Sequence, residues 1–267
     1  MKYFIICLSV IVFIFLLYIF VLLKPTKKTN LQKELLCDYA HRGLHGNGRP
    51  ENSISAFSAA IENGMGFELD LQLSSDGRVM VFHDYTLSRM TGNEGRLSDK
   101  TADELTKMTL GGTDNTIPTL EEVLALTNGK VPLLIELKGE NTSSKLCPAA
   151  AEILKDYKGP YCIESFNPLL LMNMRRYLPD AFYGQLYTNV CKNKKKYSPL
   201  NIILTLMAFN VFARPNFIAY DKKCRHSLPV LITTKLFKAP RFVWTVKNKE
   251  ELTAAKANKE CAIFENI

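Results

Sequence analysis

Short apolar strands alternate with helix-like segments along most of this chain, and this alternation limits its possible folds more than any other feature. The strand-like segments VPLLIELKG (131–139) and PYCIESF (160–166), for example, each precede a helix-like segment. Such alternation predicts a parallel sheet, and about eight strands predict closure into a (β/α)8 barrel. In that architecture the functional side chains lie at the carboxyl ends of the strands.

The first 23 residues differ in character from the rest. Residues 3–23 carry no charged side chain, and about 20 apolar residues in a helix cross a hydrocarbon core. A cleavable signal peptide has a shorter apolar region and a small-residue cleavage site, whereas this run leads directly into KPTKK. We therefore predict a single-pass membrane anchor at 1–23, a tether at 24–36 and a barrel domain at 37–267.

The side of the membrane on which the domain lies stays open. Lysines 24, 27, 28 and 33 outnumber Lys2 on the other flank, which favours a cytoplasmic domain by the positive-inside rule. A single N-terminal anchor, however, often leads its domain outward.

The net charge of +8 fits nucleic acid, an anionic membrane or a phosphate-bearing substrate. The lysine clusters lack the interleaved aromatic and glycine residues of nucleic-acid modules, so we expect no nucleic-acid partner. The seven cysteines show no C-x-x-C spacing, and we expect them to be structural.

Residues 40–84 bring together side chains suited to acid–base chemistry. His41 and His83 follow two predicted strands, and Glu68 and Asp70 lie two apart on a third. Because alternate residues of a strand face the same way, both carboxylates point to one side. Glu136 and Lys138 repeat this spacing on a later strand. Imidazoles and carboxylates at strand ends indicate metal-assisted cleavage of a phosphoester or a similar bond.

An ordered set of motifs resembles the glycerophosphodiester phosphodiesterase family. The motifs are HRG (41–43), PENS (50–53), ELD (68–70), DGRVMVFHD (76–84), IELKG (135–139), ESF (164–166) and WTV (244–246). The resemblance implies a TIM-barrel hydrolase of lipid metabolism. It would cleave glycerophosphodiesters to an alcohol and glycerol 3-phosphate with a divalent cation.

The resemblance also implies roles for individual residues. The residues that match the metal ligands are Glu68, Asp70 and Glu136. The acid–base pair is matched by His41 and His83. The residues that match the substrate-binding set are Arg42, Lys138, Trp244 and Glu51. All-oxygen ligation suits Mg²⁺ or Ca²⁺. Which histidine is the acid and which is the base stays open.

Two departures from the family pattern are visible. The sequence stops soon after the last strand, so we expect the final barrel helix to be either missing or replaced by the segment around residues 31–36. Residues 192–214 combine lysines with an unusually apolar run, which indicates either a barrel helix or a patch that dips into lipid.

Two other functions fit the same residues. One is lysophospholipase D or phospholipase C-like cleavage of a membrane lipid such as a lysophospholipid. The other is a tethered barrel that binds anionic headgroups without turnover, although such a binder has no need of both histidines. The sequence determines neither the headgroup nor the oligomeric state.

Overall fold

A computed structural model describes residues 1–27, 32–139, 145–265 and 267. Its nine strands form one sheet, in which β1 pairs with both β2 and β9 and thereby closes a barrel of eight parallel strands. The remaining strand, β3, pairs antiparallel with the end of β2. The strands are β1 (Tyr39–Ala40), β2 (Gly66–Leu73), β3 (Val79–Val81), β4 (Leu133–Leu137), β5 (Tyr161–Ser165), β6 (Phe182–Tyr187), β7 (Phe217–Asp221), β8 (Arg241–Val246) and β9 (Cys261–Phe264). The predicted (β/α)8 architecture is confirmed.

Register brings acidic residues of neighbouring strands into one row. Asp70 on β2 lies beside Glu136 on β4, and Glu136 lies beside Glu164 on β5. The apolar residues that alternate with them, such as Leu69 and Ile135, pack in the layer between strands and helices. The strands are therefore buried on both faces, as expected of a parallel sheet.

Helices pack around the barrel and are capped where the sequence offers polar caps. Ser53 caps α2, and Thr119 with Glu122 forms a capping box at α5. The helices are α1 (Lys2–Leu17), α2 (Ile54–Glu62), α3 (Ser88–Thr91), α4 (Ala102–Leu105), α5 (Leu120–Thr127), α6 (Leu146–Leu154), α7 (Pro168–Tyr177), α8 (Val190–Lys194), α9 (Pro199–Thr205), α10 (Asn210–Ala213), α11 (Leu228–Leu231) and α12 (Lys249–Ala257).

Apolar side chains fill the amino-terminal end of the barrel interior. Tyr39, Phe217 and Phe242 stack there, and Leu35 packs against the same cluster. Leu35 belongs to a 3₁₀ turn, Lys33–Leu35. The expectation that residues 31–36 replace the final barrel helix is wrong for the described part of this segment, because its one buried leucine enters the interior of the barrel. Residue 31 lies outside the described residues.

The connection from β6 to β7 packs beside the N-terminal helix. It contains three short helices, α8, α9 and α10. Beside α10 lies the end of the N-terminal helix, which continues from α1 as a π-helical segment, Tyr18–Leu23. Ile19 and Leu23 are buried against the barrel there, whereas no residue of α1 is buried. Residues 2–23 are long and apolar enough to cross a membrane.

Candidate active site

Three buried carboxylates meet inside the barrel. Glu68 and Asp70 project from β2 and Glu136 from β4, and one oxygen of each lies within 4.8 Å of the others. The alternation of β2 turns its two carboxylates to the same side, as the sequence predicts. Buried carboxylates need cationic or hydrogen-bonding partners, so the groups around them decide what this cluster can do.

Two cations and an amide stand next to the carboxylates. Lys138 Nζ lies 3.0 Å from Asp70 Oδ1 and 2.9 Å from Glu136 Oε1. The backbone N–H of Arg42 donates to Glu68 Oε2 at 2.9 Å, and the Arg42 guanidinium Nε lies 3.6 Å from Asp70 Oδ2. Asn52 Nδ2 donates to the same Asp70 oxygen at 2.8 Å. Among the described residues, Glu68 Oε1 is buried without a hydrogen-bond partner.

The carboxyl groups differ in acidity although all three are buried. Burial raises the pKa of Asp70, but the nearby charges of Lys138, His83 and Arg42 outweigh it and hold the pKa well below its usual range. Burial and the neighbouring carboxylates raise the pKa of Glu68. For Glu136, burial raises the pKa to about 7 against the opposing effect of Lys138. The protein's own cations thus stabilise Asp70 as an anion. They do not fully neutralise the negative charge that Glu68 and Glu136 would add to the cluster.

This donor set fits a divalent cation. Three carboxylates provide hard oxygen ligands, which suit Mg²⁺ or Ca²⁺ better than zinc. The unpartnered Glu68 oxygen is a buried acceptor of the kind that a cation would satisfy.

Each of the two site histidines is held by a carboxylate. His41 Nδ1 lies 3.0 Å from Glu265 Oε2, and His83 Nδ1 lies 2.7 Å from Asp84 Oδ1. A carboxylate on Nδ1 orients the ring and leaves Nε2 for proton exchange. Burial lowers the pKa of His83, although Asp70 opposes this effect. These are the arrangements needed for general acid–base chemistry near neutral pH.

One cavity of about 110 Å³ joins most of these side chains. Its lining includes His41, Arg42, Glu68, His83, Glu136, Lys138 and Trp244. Asp70 lies directly behind this lining, in contact with Lys138. Trp244 forms part of the wall, with its ring edge-on to Phe166 at 5.5 Å between centroids.

Glu51 does not line the cavity. Its carboxylate accepts from Arg42 Nη1 at 2.8 Å and from Arg89 Nη2 at 2.5 Å. The structure therefore places Glu51 beside Arg42 and outside the lining of this cavity, and its predicted part in substrate binding stays a prediction.

Sequence reasoning missed four residues of the site. One is Asp84, the last residue of the quoted motif DGRVMVFHD, which holds His83. Asn52 bonds Asp70 directly, Glu164 lines the cavity, and Glu265 holds His41. Asn52 and Glu164 stand inside the quoted motifs PENS and ESF, so a signal for both was present in the sequence. Glu265 follows the last strand with no local pattern, and only closure of the barrel brings it to His41.

Comparisons with known proteins found a family model and individual proteins that are similar to this chain. The sequence model of the Glycerophosphoryl diester phosphodiesterase family matches residues 41–267. The Bacillus subtilis protein YhdW, named by inference as a glycerophosphodiester phosphodiesterase, is 43% identical over 81% of this chain and 88% of its own length. A glycerophosphodiester phosphodiesterase of Caldanaerobacter subterraneus is 37% identical over 55% of this chain, and the match spans 65% of that relative.

A solved structure has the same fold. It is a phosphodiesterase of Oleispira antarctica in complex with its product sn-glycerol 3-phosphate, with a TM-score of 0.70 and 22% identity over 86% of this chain and 92% of that one. At this level of identity the likeness supports the barrel fold alone.

Proposed function

The chain belongs to the glycerophosphoryl diester phosphodiesterase family, and on that premise we propose that it hydrolyses glycerophosphodiesters to an alcohol and glycerol 3-phosphate. It is a phosphoric diester hydrolase by its relationship to proteins named for that activity. One observation carries the proposal for this chain: two carboxylate-held histidines line the same cavity as Glu68 and Glu136, two members of a cluster of three carboxylates. A binding protein would not need both histidines.

Arg42 and Lys138 are proposed to hold the phosphodiester. Both line the cavity, and both are fixed by carboxylates, Arg42 by Glu51 and Lys138 by Asp70 and Glu136. Preorganised cations of this kind stabilise the negative charge that grows on phosphoryl oxygens during displacement. Trp244 provides an aromatic wall against which the glycerol portion can pack.

Glu68, Asp70 and Glu136 are proposed to hold a divalent cation, Mg²⁺ or Ca²⁺. When bound, such an ion polarises the phosphoryl oxygen as a Lewis acid. The chain's own residues would keep the ligands oriented, since Asn52 and the Arg42 backbone fix Asp70 and Glu68 through hydrogen bonds.

The histidines are proposed to move the protons. One imidazole accepts the proton of the attacking hydroxyl, and the other donates a proton to the alkoxide that leaves phosphorus. The family resemblance implies that the attacking group is the substrate's own glycerol hydroxyl, with water opening the cyclic phosphate in a second step. Glu265 and Asp84 would stabilise each imidazolium as it forms.

We place this activity at a membrane and in lipid metabolism. The support is the apolar helix of residues 2–23, which carries the length and composition of a membrane span. A signal sequence has similar properties near an N-terminus, and retention of the full chain in the membrane fraction would separate the two.

Product analysis tests the reaction. The purified full chain should release choline and glycerol 3-phosphate from glycerophosphocholine, and EDTA should abolish this release. Release of phosphocholine would instead indicate phospholipase C-like cleavage on the other side of the phosphate. Turnover confined to lysophosphatidylcholine would indicate a lysophospholipase D, and the absence of any product would indicate a binding protein.

A matched histidine control is available in the chain. His41→Ala and His83→Ala should each remove most turnover, whereas His226→Ala, an exposed histidine outside the cavity, should leave it unchanged. Unchanged turnover in both site variants would contradict the proposal.

A further inference from the structure

Helices α8 and α9 lie at the same end of the barrel as the candidate site. The Tyr187 hydroxyl, at the carboxyl end of β6, donates to the Thr205 carbonyl at 3.1 Å. The backbone N–H of Cys191 donates to Thr205 Oγ1, also at 3.1 Å. Lys194 and Leu204 line a cleft that also contains His83 and Glu136. The two helices therefore form part of the mouth of the barrel.

From α9 the chain descends to the opposite end. Asn216 stands just before β7, and its backbone N–H and side chain both bond the backbone of Tyr183, near the start of β6. Residues 205–216 therefore run from the mouth of the barrel to its amino-terminal base.

The N-terminal helix runs antiparallel to this descending segment. Near the base, the backbone N–H of Thr26 donates to the Pro215 carbonyl at 2.8 Å, and Asn216 Nδ2 donates to the Thr26 carbonyl at 3.0 Å. Nearer the mouth, the Tyr18 hydroxyl donates to the Leu206 carbonyl at 3.0 Å. Followed back from Thr26, the helix thus rises along the barrel wall, and α1 extends from it towards the mouth end.

The length of α1 limits how far the barrel can stand from a bilayer. Its 16 residues span about 24 Å at a rise of about 1.5 Å per residue. A hydrocarbon core is about 30 Å thick. Because the turns after α1 are already packed on the barrel, no free spacer remains between the apolar helix and the mouth.

The surface that this geometry turns towards the bilayer has the composition of a lipid-contacting face. Tyr197, Leu200 and Ile203 are exposed apolar residues. The lysines at 192, 194, 195 and 196 are also exposed. We call residues 192–203 the mouth rim. Apolar side chains that enter the interface and lysines that meet anionic headgroups are the two contributions of peripheral membrane binding.

We propose that the mouth rim docks on an anionic phospholipid bilayer, so that the candidate active site opens at the surface of the membrane in which the N-terminal helix lies. The proposal rests on membrane anchoring by that helix and needs no turnover. A phosphodiester at the lipid surface would then reach the site without crossing bulk water.

Fluorescence quenching by lipid tests this orientation. Leu200 and Leu236 are matched, because both are exposed leucines, at 56% and 54%, but Leu236 lies close to the start of β8, at the base. The full chain carrying Leu200→Trp or Leu236→Trp is reconstituted in vesicles of phosphatidylcholine and phosphatidylglycerol with brominated acyl chains. The emission of the unmodified chain, whose one tryptophan is Trp244, is subtracted.

We expect bromine to quench most of the emission added at position 200 and little of that added at position 236. Equal quenching at the two positions, or no quenching at 200, would overturn the proposal. Omitting phosphatidylglycerol should reduce the quenching at 200, and an unchanged value would contradict the role of the lysines. These outcomes are independent of hydrolysis, so an inactive enzyme would leave the test intact.

Discussion

The protein buries carboxylates in two regions, and their partners differ. Glu260, just before β9 in the layer outside the barrel, accepts hydrogen bonds from the Tyr220 hydroxyl at 2.6 Å and from Arg225 Nε and Nη2 at 2.9 and 2.8 Å. In the mouth, Glu68 receives the backbone N–H of Arg42 on one oxygen, and its other oxygen has no partner among the described residues. Both carboxylates are almost fully buried.

The difference separates a structural charge from a binding site. Glu260 faces a guanidinium in bidentate geometry, so its charge is neutralised within the protein. Glu68, Asp70 and Glu136 share two cationic side chains, Arg42 and Lys138, and Glu164 adds a further carboxylate nearby. A fold retains such an incomplete set at a cost in stability, which is expected where an external cation completes it.

The largest expected effect is on turnover at the mouth. His41→Ala and His83→Ala should each lower kcat by about 10²- to 10⁴-fold, because each removes one proton transfer. Melting temperatures should stay close to that of His226→Ala. Steady-state kinetics beside a thermal melt would measure both quantities. If a histidine variant lost activity only because it unfolds, His41 or His83 would be structural, like Glu260 in the outer layer.

The next effect is on stability in the outer layer. Glu260→Gln should lower the free energy of unfolding by about 3 kcal/mol, because it leaves the Arg225 charge without its counter-ion. The kcat of the folded enzyme should not change. Denaturant titration and kinetics on the same preparation would test this. A loss of kcat without loss of stability would show that the outer pair belongs to the site.

Replacing Glu68 should change the free energy of unfolding by less than replacing Glu260, and in the stabilising direction. With EDTA present, Glu68→Gln should raise the free energy of unfolding by about 1–2 kcal/mol, since the neutral amide avoids the burial of an incompletely paired charge. It should also remove most of the stabilisation that a divalent cation gives to the unmodified chain. Thermal melts with EDTA and with Mg²⁺ would show both. A destabilised variant in EDTA would mean that this carboxylate is structural, like Glu260.

The smallest expected effect depends on pH. The hydrogen bond with His41, together with Lys247 and against the effect of burial, lowers the pKa of Glu265. A folded pKa below the unfolded value, about 4.3 for Glu, gives stability that is present above that value and is lost as the pH falls towards the folded pKa. Glu265→Gln should therefore cost about 1 kcal/mol at neutral pH and less in acid. An equal cost at both pH values would exclude this ionic contribution.

Local pattern was sufficient to predict the fold and much of the site. The alternation of strand-like and helix-like segments predicts the (β/α)8 barrel that the structure confirms. Strand alternation placed Glu68 and Asp70 on one face, and the structure brings both together with Glu136. The predicted roles of the site residues stay predictions.

Contacts between distant segments could not be read from local pattern. Glu265 reaches His41 only because β9 pairs with β1, and Tyr18 reaches Leu206 only because the N-terminal helix packs beside α10. Likewise, Leu35 enters the barrel interior although its neighbours read as a polar tether. Each depends on tertiary packing, which no window of sequence contains.

The most direct test of the account is the cation dependence of turnover in three matched chains. Hydrolysis of glycerophosphocholine is followed against Mg²⁺ and Ca²⁺ concentration for the unmodified protein, Glu68→Gln and Glu260→Gln. We predict cation-saturable turnover in the unmodified chain and in Glu260→Gln, and a large loss of activity or apparent cation affinity in Glu68→Gln. Turnover that is unchanged by EDTA would contradict the claim that Glu68, Asp70 and Glu136 hold the catalytic cation. An equal dependence of turnover on cation concentration in the two variants would contradict it as well.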